Sequence, residues 1–570
     1  MPTDLHFSAP GPGFWVLDTG HLTTPCSGYH QAIFRDWFML AFEQNLKRYG
    51  SLLEGLDWEW VHGFPYYRLR FAGTPPDATE LPTREQWNAL AASHEGVRER
   101  LAAAQVAMQT KLWREELAQW DGEDKPRAIA THRALLAVDP TGLSDGELLA
   151  YLARCTRNLE EGVYLHHIYN MAAWVAVGDL VATAMRWTGC SDAEAFGLLS
   201  GASPDALGGE LALEQLVEAV RADVAARALL APDRDAGDGA AAVLAALRAA
   251  AGAVGEAARD YVDLVAYRPV NGEDVGDTCA FELPELLVNG IRAAVTDGVR
   301  ENVGGGSEQA ERVAAIRAAV PAEHLAEFDE LLAEARLVYR LREERAVFGD
   351  QWALGVARRG LLVAGERLAA GGRLEEAAHL VEATWPEVQA LLRDDPGAAT
   401  AADLAERARY RATARFEDVP QTLGPPPGPP LPLEWLPPLA ARLETALGTA
   451  VGALFGGAPG EASENVLRGV GVSPGSVEGT ARILGSSREY ARVQEGDILV
   501  TRGTTAAFNI VLPLVTGIVT DRGGLLCHAA IISREYGIPA VVGTGDATTR
   551  IADGARIRVD GGTGEVTILS

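Results

Sequence analysis

One histidine, His528, stands where the sequence is best built for chemistry on an anion. In Asp521-Arg-Gly-Gly-Leu-Leu-Cys-His-Ala-Ala-Ile-Ile-Ser-Arg-Glu-Tyr-Gly-Ile-Pro-Ala-Val-Val-Gly543 a β-branched run ends, two glycines follow, and an apolar segment begins at the histidine. The pattern predicts a strand end, a glycine turn, a helix and another strand. Gly523 and Gly524 let the backbone approach a ligand closely. The first N–H groups of the following helix supply donors and positive dipole for an anion. An imidazole at that junction can act as a nucleophile and hold a phosphoryl group on a ring nitrogen. Arg522 and Arg534 could contact the phosphate, or equally be solvated surface arginines. Cys527 is an adjacent thiol, but no second base stands near it in sequence.

Around that stretch, short β-branched runs recur from Val470 onward: Thr480–Leu484, Asp497–Thr501, Gly517–Thr520, Ala540–Val542, Arg556–Asp560 and Glu565–Leu569. Separated by turns, they predict a compact α/β domain over 466–570. Residues 418–465 read as a connection with one helix. Pro420 to Pro432 is too proline-rich for a helix or a central strand. Leu439 to Phe455 has helical spacing, and the Gly/Pro-rich 456–464 is a candidate hinge. About ten such residues reach roughly 17 Å on average, enough for a moving domain. Residues 1–417 are expected to form one large, mainly helical domain, with helical apolar spacing from about 28 to 415. Ser144-Asp-Gly-Glu147 and Ser191-Asp-Ala-Glu194 match the capping box that starts a helix. The fold class expected is therefore a large mainly α-helical domain followed by a compact α/β domain.

Bulk properties narrow the partners. A chain of 570 residues exceeds a single core, and a net charge of −28 repels nucleic-acid phosphates and anionic membranes. The five cysteines, Cys26, Cys155, Cys190, Cys279 and Cys527, lack CxxC spacing, so no disulfide framework and no metal site is expected. The N-terminal residues lack an export signal, and no run of about 20 apolar residues is evident, which points to the cytoplasm. Lysine occurs only at 47, 111 and 125, none within a Gly-Lys-Ser/Thr phosphate loop. Gly304 to Gly306 follow no strand pattern and read as a surface connection, as does 231–237.

The stretch Gly-Gly-x-x-x-His-Ala-Ala-Ile-Ile-x-Arg-Glu-x-Gly-Ile-Pro-Ala-Val-Val-Gly resembles the phosphohistidine motif of phosphoenolpyruvate-utilising enzymes. Gly471-Val-Ser-Pro-Gly-Ser-Val-Glu-Gly-Thr-Ala481 and Leu499-Val-Thr-Arg-Gly-Thr-Thr505 are similar to the same family. The resemblance implies a swivelling domain whose histidine, here His528, relays phosphate between two active sites. One departure is Leu526, where the dikinases carry a threonine two residues before the histidine. The family's ATP-grasp domain and its barrel are not evident. More diffusely, Leu341-Arg-Glu-Glu344 and Arg359 to Leu374 resemble the acceptor domain of rifampin phosphotransferase. The order helical then histidine is similar to the histidine-bearing subunit of phenylphosphate synthase, whose ATP-grasp part is a separate chain.

The resemblance implies a phosphotransferase component that binds no cofactor tightly itself. ATP and Mg act through a separate ATP-grasp protein, and the acceptor is a hydroxyl of a small, natural-product-like molecule. A lyase acting through a phosphorylated hydroxyl, or a binding protein retaining the fold, are the alternatives. His21, His166 and His167 could each supply a base for the acceptor, or be structural. Arg268, Glu282, Arg342 and Glu343 face the site by resemblance, and a buried ion pair or solvated helix face explains them equally well. Trp15, Trp37, Trp58, Trp60, Tyr66 and Tyr67 could line a pocket, or fill a core.

Overall fold

The computed structural model describes residues 5–569 except 23, 76, 79, 204–207, 232–234, 271, 300–305, 456–462, 464, 486–488, 490, 491, 505–507, 509 and 510. The candidate hinge, the glycine run at 304–306, part of the 231–237 loop and Thr505 therefore lie largely outside the described residues. Internal contacts divide the chain into two compact units. The first comprises residues 1–175, 272–277 and 348–447, and the second 176–271, 278–347 and 448–570.

In the first unit, the helix Asp145–Ile168 packs against both Gly28–Tyr49 and Trp352–Ala370. Ser144 and Glu147 form the expected capping box, each satisfying a backbone donor the other's turn leaves open. The unit is not wholly helical. Strands β1 (Trp15–Leu17), β2 (Leu53–Val61), β3 (Phe64–Phe71) and β4 (Thr422–Leu423) form an antiparallel sheet in the order β2-β3-β1-β4. Its hairpin turns at His62 and Gly63, both with positive φ (53° and 79°), as a two-residue turn matching strand twist requires. Within the mainly helical region this stretch forms strands, in keeping with the period-two alternation of Asp57 to Trp60 and Tyr67 to Arg70. β4 lies at a sheet edge, where the proline-rich segment is tolerated. Residues 272–277 are tied in by Asp274, which accepts from the Ser27 N–H at 2.9 Å, and by Asp277, which accepts from Arg411 at 3.0 Å.

One helical stretch, Asp145–Thr188, is long and apolar enough to cross a membrane, and 83% of its apolar window is buried inside the protein. The sequence reading overlooked it because Asp179 and Arg186 interrupt the run. Its burial marks a core helix of a folded protein.

The second unit carries helices such as Glu210–Ala222, Ala253–Val265, Pro284–Asp297 and Leu325–Val338. It also carries an eight-stranded mixed sheet: β5 (Val466–Arg468), β6 (Val470–Ser473), β7 (Ser476–Leu484), β8 (Asp497–Thr501), β9 (Val515–Thr520), β10 (Ala540–Val542), β11 (Arg556–Asp560) and β12 (Glu565–Ile568). The strand order is β5-β12-β11-β7-β8-β9-β10-β6. β7, β8, β9 and β10 run parallel, with Leu499 opposite Ile518 and Ala540 also opposite Ile518. Parallel neighbours need a crossover, and the helix His528–Tyr536 supplies it between β9 and β10. β8 is buried along its whole length, the reason it reads as an unbroken apolar run. Ile498, Val500, Val519, Val541, Ile557 and Val559 form the core of one face.

Candidate active site

The crossover places His528 beyond the carboxyl end of β9, the position where open parallel sheets present ligand-binding groups. Backbone bonds hold the turn to the end of β8: Asp521 N–H to Thr501 O at 3.0 Å and Arg522 N–H to Arg502 O at 2.9 Å. The Asp521 carboxylate accepts from the Thr548 N–H at 2.9 Å. Gly523 has φ +107°, and a Cβ there would lie 2.8 Å from Cys527 Sγ, so only glycine fits the turn. The Cys527 N–H then closes on Gly524 O at 3.1 Å, and Leu526 N–H on Ala453 O at 2.9 Å. Cys527 caps the helix without a side-chain bond, and Gly537 ends it in the left-handed region at φ 61°. His528 is the first helical residue, at the helix end whose first-turn N–H groups have no acceptor within the helix itself.

The histidine is buried, and its partner is an acid from a distant segment. His528 Nδ1 lies 2.5 Å from Glu343 Oε2 across 185 residues of sequence. Burial pushes the Glu343 carboxyl up. The charge and hydrogen bond of His528, with Arg342 and Arg345 adding, reverse that and hold it at about 2. Glu343 is thus a carboxylate, and a proton on His528 Nδ1 points at it. In the neutral ring, that orientation leaves the lone pair on Nε2.

Cations gather round this pair. Arg342 Nη1 lies 3.7 Å from Glu343 Oε1. Arg534 is buried and donates through Nη2 to the Tyr339 hydroxyl at 2.8 Å. Among the described residues, its Nε and Nη1 meet no hydrogen-bond partner. Buried donors left open in this way cost about 1–3 kcal/mol each, and a guanidinium so placed can receive an anion. Burial raises the Cys527 thiol, so it is neutral beside the histidine and not a thiolate nucleophile. Neighbouring contacts brace the helix: Glu535 accepts from the Gly201 N–H at 3.0 Å, and Tyr536 bonds Glu210.

The structure therefore brings together His528, Glu343, Arg342, Arg534, Gly523 and Gly524. Arg522 is half-buried at the turn, with its backbone on β8. Arg268 donates to the Gly208 carbonyl, and Glu282 accepts from the Cys279 N–H at 2.8 Å, contacts that serve backbone groups. His21, His166 and His167 lie together in the first unit, where His21 pairs with Asp18 and His166 with Asp350. Of the aromatic candidates, Trp15 and Tyr66 fill a core with Phe64 and Phe416, whereas Trp58 lies beside His21. Sequence reasoning missed Tyr339, Arg345 and Asp350. Tyr339 stands just ahead of the Leu341-Arg-Glu-Glu344 run, but nothing local marks Asp350 as the partner of a histidine 184 residues away.

Among known proteins, residues 493–564 match the mobile domain of PEP-utilising enzymes. A probable phosphoenolpyruvate synthase of Archaeoglobus fulgidus is 48% identical over 101 residues, 18% of this chain and 13% of that protein. A rifampicin phosphotransferase of Streptomyces sviceus is 50% identical over 107 residues, 19% of this chain and 12% of that one. Chondramide synthase cmdD of Chondromyces crocatus is 31% identical over 297 residues, 50% of this chain and 8% of that protein. The matched segment spans about an eighth of the first two relatives. The C-terminal part of this chain is thus similar to the mobile domain of PEP-utilising enzymes, and a large helical region precedes it.

Proposed function

We propose that this protein is the carrier and acceptor component of a phosphotransferase. His528 takes a phosphoryl group from a separate ATP-grasp protein, which binds ATP and Mg, and passes it to a hydroxyl of a small organic molecule bound by the helical region. The observation that carries the reading is the His528–Glu343 pair at 2.5 Å, set at the start of the crossover helix.

The first half of the relay draws on the residues round His528, and the second adds a base for the acceptor. In the first, Nε2 attacks the phosphorus in line, the N–P bond forms, and the P–O bond to the donor's leaving group breaks. The ring becomes cationic, and Glu343 balances it through Nδ1–H. Arg534 and Arg342 offset the charge of the phosphoryl oxygens. In the second, an acceptor oxygen attacks, the N–P bond breaks, and its electron pair returns to Nε2. The acceptor proton must leave to a base. The rifampicin phosphotransferase relative supports this direction of transfer.

Incubation with ATP, Mg and an ATP-grasp partner should give an acid-labile phosphoprotein, and His528→Ala should give none. An alanine variant that labels to the wild-type level removes the assignment. Chasing the labelled protein with an acceptor should yield a product heavier by one phosphoryl group, whereas loss of water from the acceptor would show a lyase.

A further inference from the structure

The first unit holds a second cluster of titratable side chains that chemistry at His528 does not use. His21 Nδ1 lies 2.8 Å from Asp18 Oδ2, and His166 Nδ1 lies 2.7 Å from Asp350 Oδ2. His167 stacks on His166, with ring centroids 4.4 Å apart and planes within 11°. Its centroid is 6.0 Å from that of His21. Three imidazoles and two carboxylates thus share one small volume. An aromatic wall bounds it: Phe34, Phe38 and Trp58 stand 5.6, 5.8 and 5.9 Å from the His21 ring. Phe38 also meets His167 edge-on at 4.4 Å.

A structural role accounts poorly for this grouping. Burying two histidine–carboxylate pairs among aromatic rings costs desolvation that apolar side chains of similar volume would avoid. Trp58 is a separate observation. It is 1% exposed, and among the described residues its indole N–H meets no acceptor. Buried indole N–H groups usually have one, so a ligand oxygen beside the histidines would satisfy it. His21 keeps 24% of its side chain accessible, which gives the cluster an opening. A metal ion is the other occupant to weigh, because donor atoms of His166, His167 and Asp350 lie within 4.8 Å of one another. The hydrogen bond between His166 Nδ1 and Asp350, however, ties those two donor atoms to each other instead of to an ion, and turns Nε2 outward from the pair.

We infer that this cluster binds a hydroxyl-bearing aromatic molecule and that His166, oriented by Asp350, takes the proton of its hydroxyl. The inference rests on the carrier reading only for the source of the phosphoryl group. The ligand ring packs against Phe38 and Trp58. Its O–H bond breaks, the proton goes to His166 Nε2, and the electron pair stays on oxygen for the new O–P bond. Burial pushes the His21 imidazole down, but Asp18, with Glu273 and Asp350 adding, lifts it to about 9. His21 is therefore an imidazolium at neutral pH, able to stabilise the charge that develops on that oxygen. Histidine is matched to this task, since a phenolic proton at about 10 lies within reach of an imidazole base.

4-Nitrophenol tests this with the full-length protein alone, because only its ionised form absorbs visible light. At a pH where the free probe is mostly neutral, we expect a saturable rise of phenolate absorbance. His166→Gln should abolish that rise, and Asp350→Asn is the second variant should His166→Gln not fold. His21→Gln should weaken binding by about tenfold or more, the size of one charge-assisted hydrogen bond. His528→Ala should titrate like the wild type, so failure of the carrier reading and failure of this one are seen separately. Absence of a saturable rise in the wild type overturns the inference. So does a folded His166→Gln or His21→Gln variant that matches the wild type, or stoichiometric metal in the purified protein that His166→Gln loses.

Discussion

Replacing Glu343 with glutamine isolates what the carboxylate does for His528. The glutamine oxygen can still accept the Nδ1 proton, so shape and one hydrogen bond are kept while the charge is lost. Glu343 is 3% exposed, and its carboxyl falls from an ordinary 4.5 to about 2 against the burial that opposes it. At 1.36 kcal/mol for each tenfold change, that fall is about 3 kcal/mol in favour of the ionised form, and His528 is the largest source of it. Losing about 2–3 kcal/mol where the ring becomes cationic slows phosphorylation by roughly 30- to 160-fold. Phosphoramidate, a small-molecule phosphoryl donor, reads this without a partner protein, and phosphorus NMR identifies the modified nitrogen. The wild type should be modified at Nε2. Glu343→Gln should react slowly and give a mixture of Nε2 and Nδ1 adducts, because the amide can also turn its NH2 toward Nδ1 and so accommodates either tautomer. A wild-type adduct at Nδ1, or a glutamine variant that reacts at the wild-type rate, refutes the reasoning.

Arg534→Met should slow the same reaction at least about tenfold and leave the urea-derived stability within about 1 kcal/mol, since the lost Tyr339 bond is offset by removing two unpaired buried donors. Gly523→Ala should cost about 1–3 kcal/mol in urea unfolding, from its positive φ and the contact with Cys527 Sγ, and adding Cys527→Ala should recover the steric share alone. His21 stabilises the fold in a defined window. Its folded value of about 9 exceeds the ordinary 6.5, so its contribution of about 3 kcal/mol is complete below 6.5 and is lost as pH rises through 9. Urea midpoints between pH 6 and 10 should fall in the wild type and lose that slope in His21→Gln.

The chemistry at His528 was legible because its determinants are local: a strand end, two glycines, a helix start and a returning strand within 23 residues. The same holds for most strands of the C-terminal sheet, where β8 and β9 read as apolar runs because both faces are covered. What pairs with the histidine was not legible in the same way. Glu343 stood in the sequence only as one candidate among several, and its 2.5 Å contact spans 185 residues. Asp350 gave no signal at all, since a carboxylate beside a glycine is common on any surface. The first-unit sheet was hidden for another reason. β2 and β3 sit between long helices, and their alternating tryptophans and tyrosines read equally as a pocket lining. Only tertiary packing assigns Tyr66 to a core and Trp58 to the neighbourhood of His21.

Whether His528 is the phosphoryl carrier is tested most directly by locating the phosphate after reaction with ATP, Mg and an ATP-grasp partner. Tandem mass spectrometry of peptides kept at neutral to alkaline pH preserves a nitrogen-bound phosphoryl group. We expect one phosphoryl group on the peptide that contains His528, at near-stoichiometric occupancy and discharged when an acceptor is added. Phosphate found on another residue, or on His528 but never released to an acceptor, would contradict it.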